Sequence, residues 1–208
     1  MICAVSLLMV SSSSCRRHPR AQAGETTATA QANLPPLTLQ QIRELDQKTF
    51  EQSLPQLRDA IKRQGSQPAA DPETLSAIAA KLRQTSESVP DYWPAVLGFI
   101  PFASSRMAPD APTPGQQPRL LSAIVSVGLM RGIREKGVTM LFDSGDLGNG
   151  EFSNCRIIFT ASPVRLTHAV FSQCAFELPT TDLPNPYVKR VCRILLASNL
   201  ESVAIPTL

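Results

Sequence analysis

Apolar side chains recur at Leu39, Ile42, Leu45, Phe50, Leu54, Leu57 and Ile61, close to the 3.6-residue period of an amphipathic helix. Thr38 precedes them as an N-cap, and Gln41 three residues on completes a capping box. Pro55 cannot donate its part of the helical ladder. A kink or two abutting helices is therefore expected there, with Ser53 as the second cap and Gly65 as the stop. Asp71-Pro72 opens another helix, as N-cap and N1, with Leu75, Ile78, Ala79 and Leu82 on its face. These helices read as a pair packed on each other or on the C-terminal part. A coiled-coil stalk needs sustained heptads, and Pro55 interrupts them. The stretch VPDYWPAVLGFIPFASS, residues 89–105, places Asp91 and Pro94 in the first turn of a short helix. Its Tyr92, Trp93, Phe99 and Phe102 form either a ligand platform or, as aromatics more often do, a plug over a core.

Beyond a Pro-rich loop at 106–118 the pattern changes. Residues 145–159 divide into three fives, GDLGN, GEFSN and CRIIF, each with a small first residue and a large apolar third. Sliding the chain by nineteen positions superposes Leu147 on Leu166, Phe152 on Phe171, Ser153 on Ser172, Cys155 on Cys174 and Ile157 on Phe176. The same slide gives a weaker copy upstream, with Ile133 on Phe152, Val138 on Ile157, Met140 on Phe159, and Lys136 in the cysteine place. A period near 20 residues signals stacked repeats.

This small–variable–large pattern resembles the pentapeptide-repeat family, whose coil is a right-handed, four-sided β-helix. The layout also resembles bacterial proteins carrying a short β-helix segment after helices. The resemblance covers 145–178, and 126–178 with the weaker copy. It implies that Gly145, Gly150, Cys155, Val164, Ala169 and Cys174 take the small inward position, and Leu147, Phe152, Ile157, Leu166, Phe171 and Phe176 the large one. The chain departs from the family where Arg165, Val170 and Ala175 replace Asp or Asn, and where the fourth side, Thr160-Ala161-Ser162-Pro163, has four residues. A looser right-handed β-helix fits equally well.

Two or three coils are only about 10–15 Å tall, since stacked strands lie about 4.8 Å apart. Such a stub needs lids. One is expected from a C-terminal helix begun by Asn185 as N-cap and Pro186 as N1, with Val188, Val191, Cys192 and Leu195 on its buried face. The aromatic segment or the two helices are expected to cover the first coil. An uncovered end leaves backbone groups free to pair with another chain. The expected class is therefore α+β: N-terminal helices, then a two- to three-coil right-handed parallel β-helix capped by a C-terminal helix. The boundaries are 1–37 (signal- or anchor-like segment and linker), 38–105 (helical region), 106–118 (loop) and 119–208 (β-helix with capping helix).

Composition alters this picture little. The 208 residues carry 20 basic and 17 acidic side chains, net +3, too balanced for a nucleic-acid face. Cysteines at 3, 15, 155, 174 and 192 show no CxxC or His/Cys cluster, which argues against zinc or a disulfide framework. MICAVSLLMV, residues 1–10, is too short to span a bilayer and resembles a signal core. However, Arg16, Arg17 and Arg20 follow it rather than precede it, Ser12-Ser13-Ser14 before Cys15 only loosely matches a lipobox, and Ala21-Gln22-Ala23 lies far downstream. An exported or membrane-anchored protein of the cell envelope is expected, with a cytoplasmic protein bearing a free tail as the alternative.

Candidate chemistry is sparse. Cys155 and Cys174, one coil apart, are either a disulfide pair or two buried thiols. DSGDLGNGE, residues 143–151, holds Asp143, Asp146, Asn149 and Glu151 but lacks calcium-loop and phosphate-loop spacing. His168 falls at a coil corner. Arg156, Arg165, Asp146 and Asp182 are the candidates for an outer catalytic wall acting on polysaccharide. No catalytic, cofactor-binding or metal-ligating residue is assigned, and no cofactor or small-molecule substrate is expected. The function expected is a non-enzymatic scaffold or protein-interaction module that self-associates or binds a protein partner. The alternative is a carbohydrate-active enzyme or carbohydrate-binding module.

Overall fold

Thr38 caps the first described helix as its sequence dictates: its hydroxyl accepts from Gln41 N–H, and the Gln41 amide oxygen accepts from Thr38 N–H. The computed structural model describes residues 36–63, 70–120, 132–181, 183–198, 200 and 202–208. The signal-like segment with Cys3, Cys15 and His18, the expected stop at Gly65, and Asp182 lie outside the described residues. The chain is mixed α/β, with helices first, then parallel-strand sheets, then a C-terminal helix and a last strand.

The 38–63 stretch forms three helices, α1 (Leu39–Glu44), α2 (Gln47–Gln52) and α3 (Leu54–Arg63). The abutment at Pro55 is present. Ser53 there donates its hydroxyl back to the Thr49 carbonyl at 2.8 Å instead of capping forward. An earlier break falls at Asp46, whose carboxylate accepts from Thr49 N–H and starts α2 afresh. Helix α4 (Pro72–Gln84) begins at the Asp71 cap. Helix α5 (Tyr92–Met107) is longer than the short helix expected and runs through Pro101. Tyr92, Trp93 and Phe99 are buried in it, as a plug requires.

The strands are β1 (Arg119–Leu120), β2 (Arg134–Lys136), β3 (Thr139–Phe142), β4 (Asp146–Gly148), β5 (Glu151–Ser153), β6 (Arg156–Phe159), β7 (Arg165–Ser172), β8 (Ala175–Glu177) and β9 (Ser202–Thr207). One sheet has the order β1-β3-β6-β8, the other β2-β5-β7-β4, with β9 also on β7. All ladders are parallel except β7–β9. Leu147 lies beside Leu166, Phe152 beside Phe171 and Ile157 beside Phe176, the nineteen-residue offset read from the sequence. All six large inward residues are buried.

The upstream copy needs a correction. Glu135 lies beside Phe152 and Met140 beside Ile157, an offset of seventeen rather than nineteen. The cause is the third connection: three residues, 143–145, join β3 to β4, whereas five, 160–164, join β6 to β7. Val138, not Lys136, therefore falls in the cysteine place. Gly145 is also corrected: it lies exposed in the short connection with φ 114°, not inward. Gly150 does point inward, and a Cβ there would meet Phe152 at 2.7 Å and Leu147 at 2.9 Å.

Two corners repeat a left-handed backbone. Gly132, Asn149 and His168 occupy one at φ 76°, 56° and 54°, and Gly137, Asn154 and Gln173 the other at 64°, 51° and 51°. Glycine and asparagine tolerate this conformation and histidine is among the residues enriched in it, whereas glutamine is strained there. Gln173→Asn is therefore expected to stabilise by about 0.5–1 kcal/mol, read as a raised urea midpoint at unchanged slope.

The lids differ from expectation. The C-terminal helix α6 (Pro186–Ala197) has the Asn185 cap and buried face foreseen, but it packs on α4, α5 and β9. The free edge of β7 is closed instead by β9, with Phe171 opposite Val203 and Ala169 opposite Ile205. Helix α5 lies chiefly against β8, the last strand of its sheet and the opposite end from β1. There the buried Ser104 hydroxyl accepts from Phe176 N–H at 2.9 Å. Ser104→Ala would leave that donor buried and unpaired, and is expected to cost about 1–3 kcal/mol by chemical denaturation. Helices and strands share one hydrophobic core. No described helix is long and apolar enough to cross a membrane.

Candidate functional site

The outer-wall residues do not converge. Arg165 on β7 and Asp146 on β4 face each other at 3.6 Å on one sheet. Arg156 lies on β6 of the other sheet and is buried there: Nε donates to the Pro112 carbonyl at 2.5 Å and Nη1 to Glu177 Oε1 at 2.6 Å. The shared outward face expected for Arg156 and its neighbours is therefore not formed. Nor is the loop at 106–118 wholly exposed, since Arg156 pins Pro112 and Ala108 is buried. Asp146, Asn149 and Glu151 are exposed, and Glu151 pairs with Arg134 at 3.0 Å. His168 is an exposed corner residue. Among the described residues, no three His, Cys, Asp or Glu side chains gather where a metal ion could sit.

Trp93 is covered rather than open. Lys189 Nζ and Arg193 Cζ lie 5.1 and 5.9 Å from its ring centroid. Arg193 also grips the Glu87 carboxylate through Nε and Nη2 at 2.5 and 2.7 Å. Those hydrogen bonds hold Glu87 below the ordinary carboxylate range. This constellation fastens α6 to α5 and the turn before it.

Among the described residues a groove of about 700 Å³ lies between α3, α5 and the chain leaving β8. Its floor is one face of α5, namely Pro94, Leu97, Gly98 and Pro101. The helical period brings these residues to that side, and Gly98 keeps it low: a Cβ there would meet nothing within 4 Å. Pro101 has no N–H to give, so the Leu97 carbonyl loses its helical donor beside the groove. One wall is Glu177, Leu178, Pro179, Thr180 and Thr181. On β8, Phe176 N–H points away from β6 to Ser104; two residues on, Leu178 N–H has no partner among the described residues. The opposite lip carries Arg58 and Lys62. Arg58 reaches Asp91 at 3.5 Å, but its Nε is buried with no hydrogen-bond partner. Asp91 sits in a left-handed conformation, φ 63°, and makes no capping bond to α5. Lys62 has no ion-pair partner among the described residues.

The buried thiols form a second constellation. Cys155 and Cys174 follow matching corners, each Sγ near the carbonyl two residues back, Ser153 at 3.2 Å and Ser172 at 3.4 Å. Cys155 is lowered to about 6, first through its interaction with the Cys174 thiol. Cys174 moves up, through that same interaction and through burial. Both are free in the structure. Burial alone pushes the Cys192 thiol up to about 12.

Comparison with protein-family models, curated proteins and solved structures gives no match.

Proposed function

We propose that the chain is a non-enzymatic scaffold and protein-interaction module. On this reading the two parallel sheets are the walls of a short right-handed β-helix akin to the pentapeptide-repeat coil, and residues 1–37 tether or export it. The observation that carries the interaction role is the groove beside β8. Just past the end of β8, Leu178 N–H has no partner among the described residues, and it lies above an apolar helix face and opposite two cations. An extended segment can add its backbone to such an edge while apolar side chains settle on the floor. The cations Arg58 and Lys62 favour an acidic residue in that segment.

A protein partner is better supported than a second copy. At the β1–β2 end, Arg119 and Glu135 stand in the inward columns beside Met140 and Phe152, and pair with each other at 3.1 Å. Inward charges on an edge oppose strand addition there. The carbohydrate-enzyme alternative has little support, because Arg156 is buried and Arg165 is paired with Asp146.

The test is selection of random heptapeptides on the immobilised full-length protein. Acidic residues flanked by apolar ones are expected to be enriched. Gly98→Leu, whose Cβ meets nothing within 4 Å, and Lys62→Glu should each weaken the selected peptides at least tenfold with the thermal midpoint held. Selected peptides lacking acidic residues, or insensitive to both changes, would refute the docking surface.

A further inference from the structure

We propose that Cys155 and Cys174 are a redox modification site: a rung-to-rung disulfide that a hydroperoxide forms and a small thiol reverses. The geometry is set by the ladder on both sides of the pair. Asn154 N–H donates to the Ser172 carbonyl at 3.0 Å, and Ala175 N–H to the Cys155 carbonyl at 2.9 Å. These two bonds bracket the cysteines and fix them side by side in matching links, Cys155 between β5 and β6 and Cys174 between β7 and β8, just before the paired Arg156 and Ala175. Such neighbours lie about 4.7–4.9 Å apart, inside the roughly 4.4–6.8 Å window for the Cα atoms of a disulfide. Both side chains point inward in one column, since both residues are fully buried. Each sulfur also sees the strand of the preceding turn: Cys155 Sγ the Glu135 carbonyl and Cys174 Sγ the Phe152 carbonyl, both at 3.5 Å. Closing the pair asks the two Cβ atoms to approach by about 1 Å, at corners where the strand ladder is already interrupted.

The chemistry divides between the two sulfurs. Of the two neighbouring thiols Cys155 is the one held below the ordinary range, through its interaction with Cys174, which makes Cys155 the attacking atom. The oxidant must be small because neither sulfur is open to solvent, and a hydroperoxide meets that need. The Cys155 thiolate attacks the terminal peroxide oxygen. The O–O bond breaks, Cys155 becomes a sulfenic acid, and the leaving oxygen takes a proton as water when the oxidant is hydrogen peroxide. Cys174 then attacks the Cys155 sulfur. The S–S bond forms, the S–O bond breaks, and the departing hydroxide leaves with the Cys174 proton as a second water. Two thiols and one hydrogen peroxide give one disulfide and two waters, with both sulfurs oxidised and the peroxide oxygens reduced. Reduction by two equivalents of a small thiol restores the pair. The link closes a loop across one full turn, so the oxidised form resists unfolding more strongly.

The experiment uses the full-length protein and hydrogen peroxide. After oxidation, free thiols are blocked and the unreduced protein is digested with trypsin. Cleavage after Lys136, Arg156, Arg165 and Lys189 places Cys155 in the peptide 137–156 and Cys174 in the peptide 166–189. The expected dominant product is these two peptides joined, two hydrogens lighter than their sum, with a thermal midpoint raised by on the order of 5 °C and restored by dithiothreitol. Cys174→Ala, a small apolar replacement, should leave a sulfenic acid on Cys155 that dimedone captures. Cys155→Ala should give no adduct on Cys174. Links made chiefly to Cys3, Cys15 or Cys192, or no 155–174 link together with no dimedone adduct in Cys174→Ala, would overturn the assignment.

Discussion

Phe152→Ala is expected to destabilise the protein by about 3–5 kcal/mol and to lower its thermal midpoint by roughly 10 °C. The Phe152 ring stacks on Phe171 at 5.0 Å with only 12° between planes, and meets Phe142 edge-on at 5.5 Å. Phe142 in turn abuts Phe159, and Phe171 abuts Phe176, so removing the Phe152 ring opens a void at the centre of a five-ring cluster. The neighbours belong to paired strands and cannot collapse into it, so the cavity penalty adds to the lost transfer energy. Phe152→Leu keeps most of the volume and is expected to cost only about 1–2 kcal/mol. Val170, one residue before Phe171, points outward and is exposed, so Val170→Ala should fall within about 0.5 kcal/mol of the parent. Urea unfolding followed by circular dichroism separates the three. Equal losses for Phe152→Ala and Val170→Ala would contradict the inward–outward alternation on which the strand assignment rests.

That alternation was legible because like side chains return at a fixed offset, and packing demands that they do. The helix starts at Thr38, Asp71 and Asn185 were legible for a local reason, since each cap bonds to a backbone N–H three residues away. Asp46 carried the same signal and was not read, because the apolar period runs unbroken across it from Leu45 to Phe50. The seventeen-residue step was hidden by its cause: a connection can lose two residues without changing any inward side chain. The closing strand β9 was written in SVAIPT as an alternation, with Val203 and Ile205 buried, yet six residues after a helix carry too little pattern to show what they pair with. Which end α5 covers could not be read at all. It depends on how the helices return to the sheets, and the amphipathic pattern of α5 is the same for either end.

The candidate groove was less legible still. Pro94, Gly98 and Pro101 share one helix face at i, i+4 and i+7, a small-residue stripe visible in the sequence. Its meaning requires knowing that Leu178–Thr181 passes opposite, some 80 residues later. The thiol pair was legible as a pair because Cys155 and Cys174 differ by the repeat. Which thiol is held lower depends on how the two meet and how deeply each is buried, which no spacing rule states.

Arg156 shows how far an exposed-wall reading can miss, and its replacement is the second large effect expected. Arg156→Leu should cost about 2–4 kcal/mol, because the guanidinium is nearly enclosed and satisfies two groups at once. Its Nε–H meets the buried Pro112 carbonyl and its Nη1 the Glu177 carboxylate. Leucine fills similar space but leaves the carbonyl without a donor and Glu177 without its counter-charge. Glu177 is partly exposed and can rehydrate, which keeps the loss below that of a fully sealed pair. Arg156→Lys retains the charge but not the fork, and is expected to lose about half as much. The loop should respond locally as well: freed from Arg156, the segment between α5 and β1 loosens, and the sites flanking it, Arg106 in the last turn of α5 and Arg119 on β1, become open to trypsin before global unfolding. Adding Glu177→Leu to Arg156→Leu should recover part of the stability, since an apolar pair replaces a broken ionic one. A melt unchanged by Arg156→Leu, with those two sites no more cleavable, would return Arg156 to the surface role its position in the repeat implied.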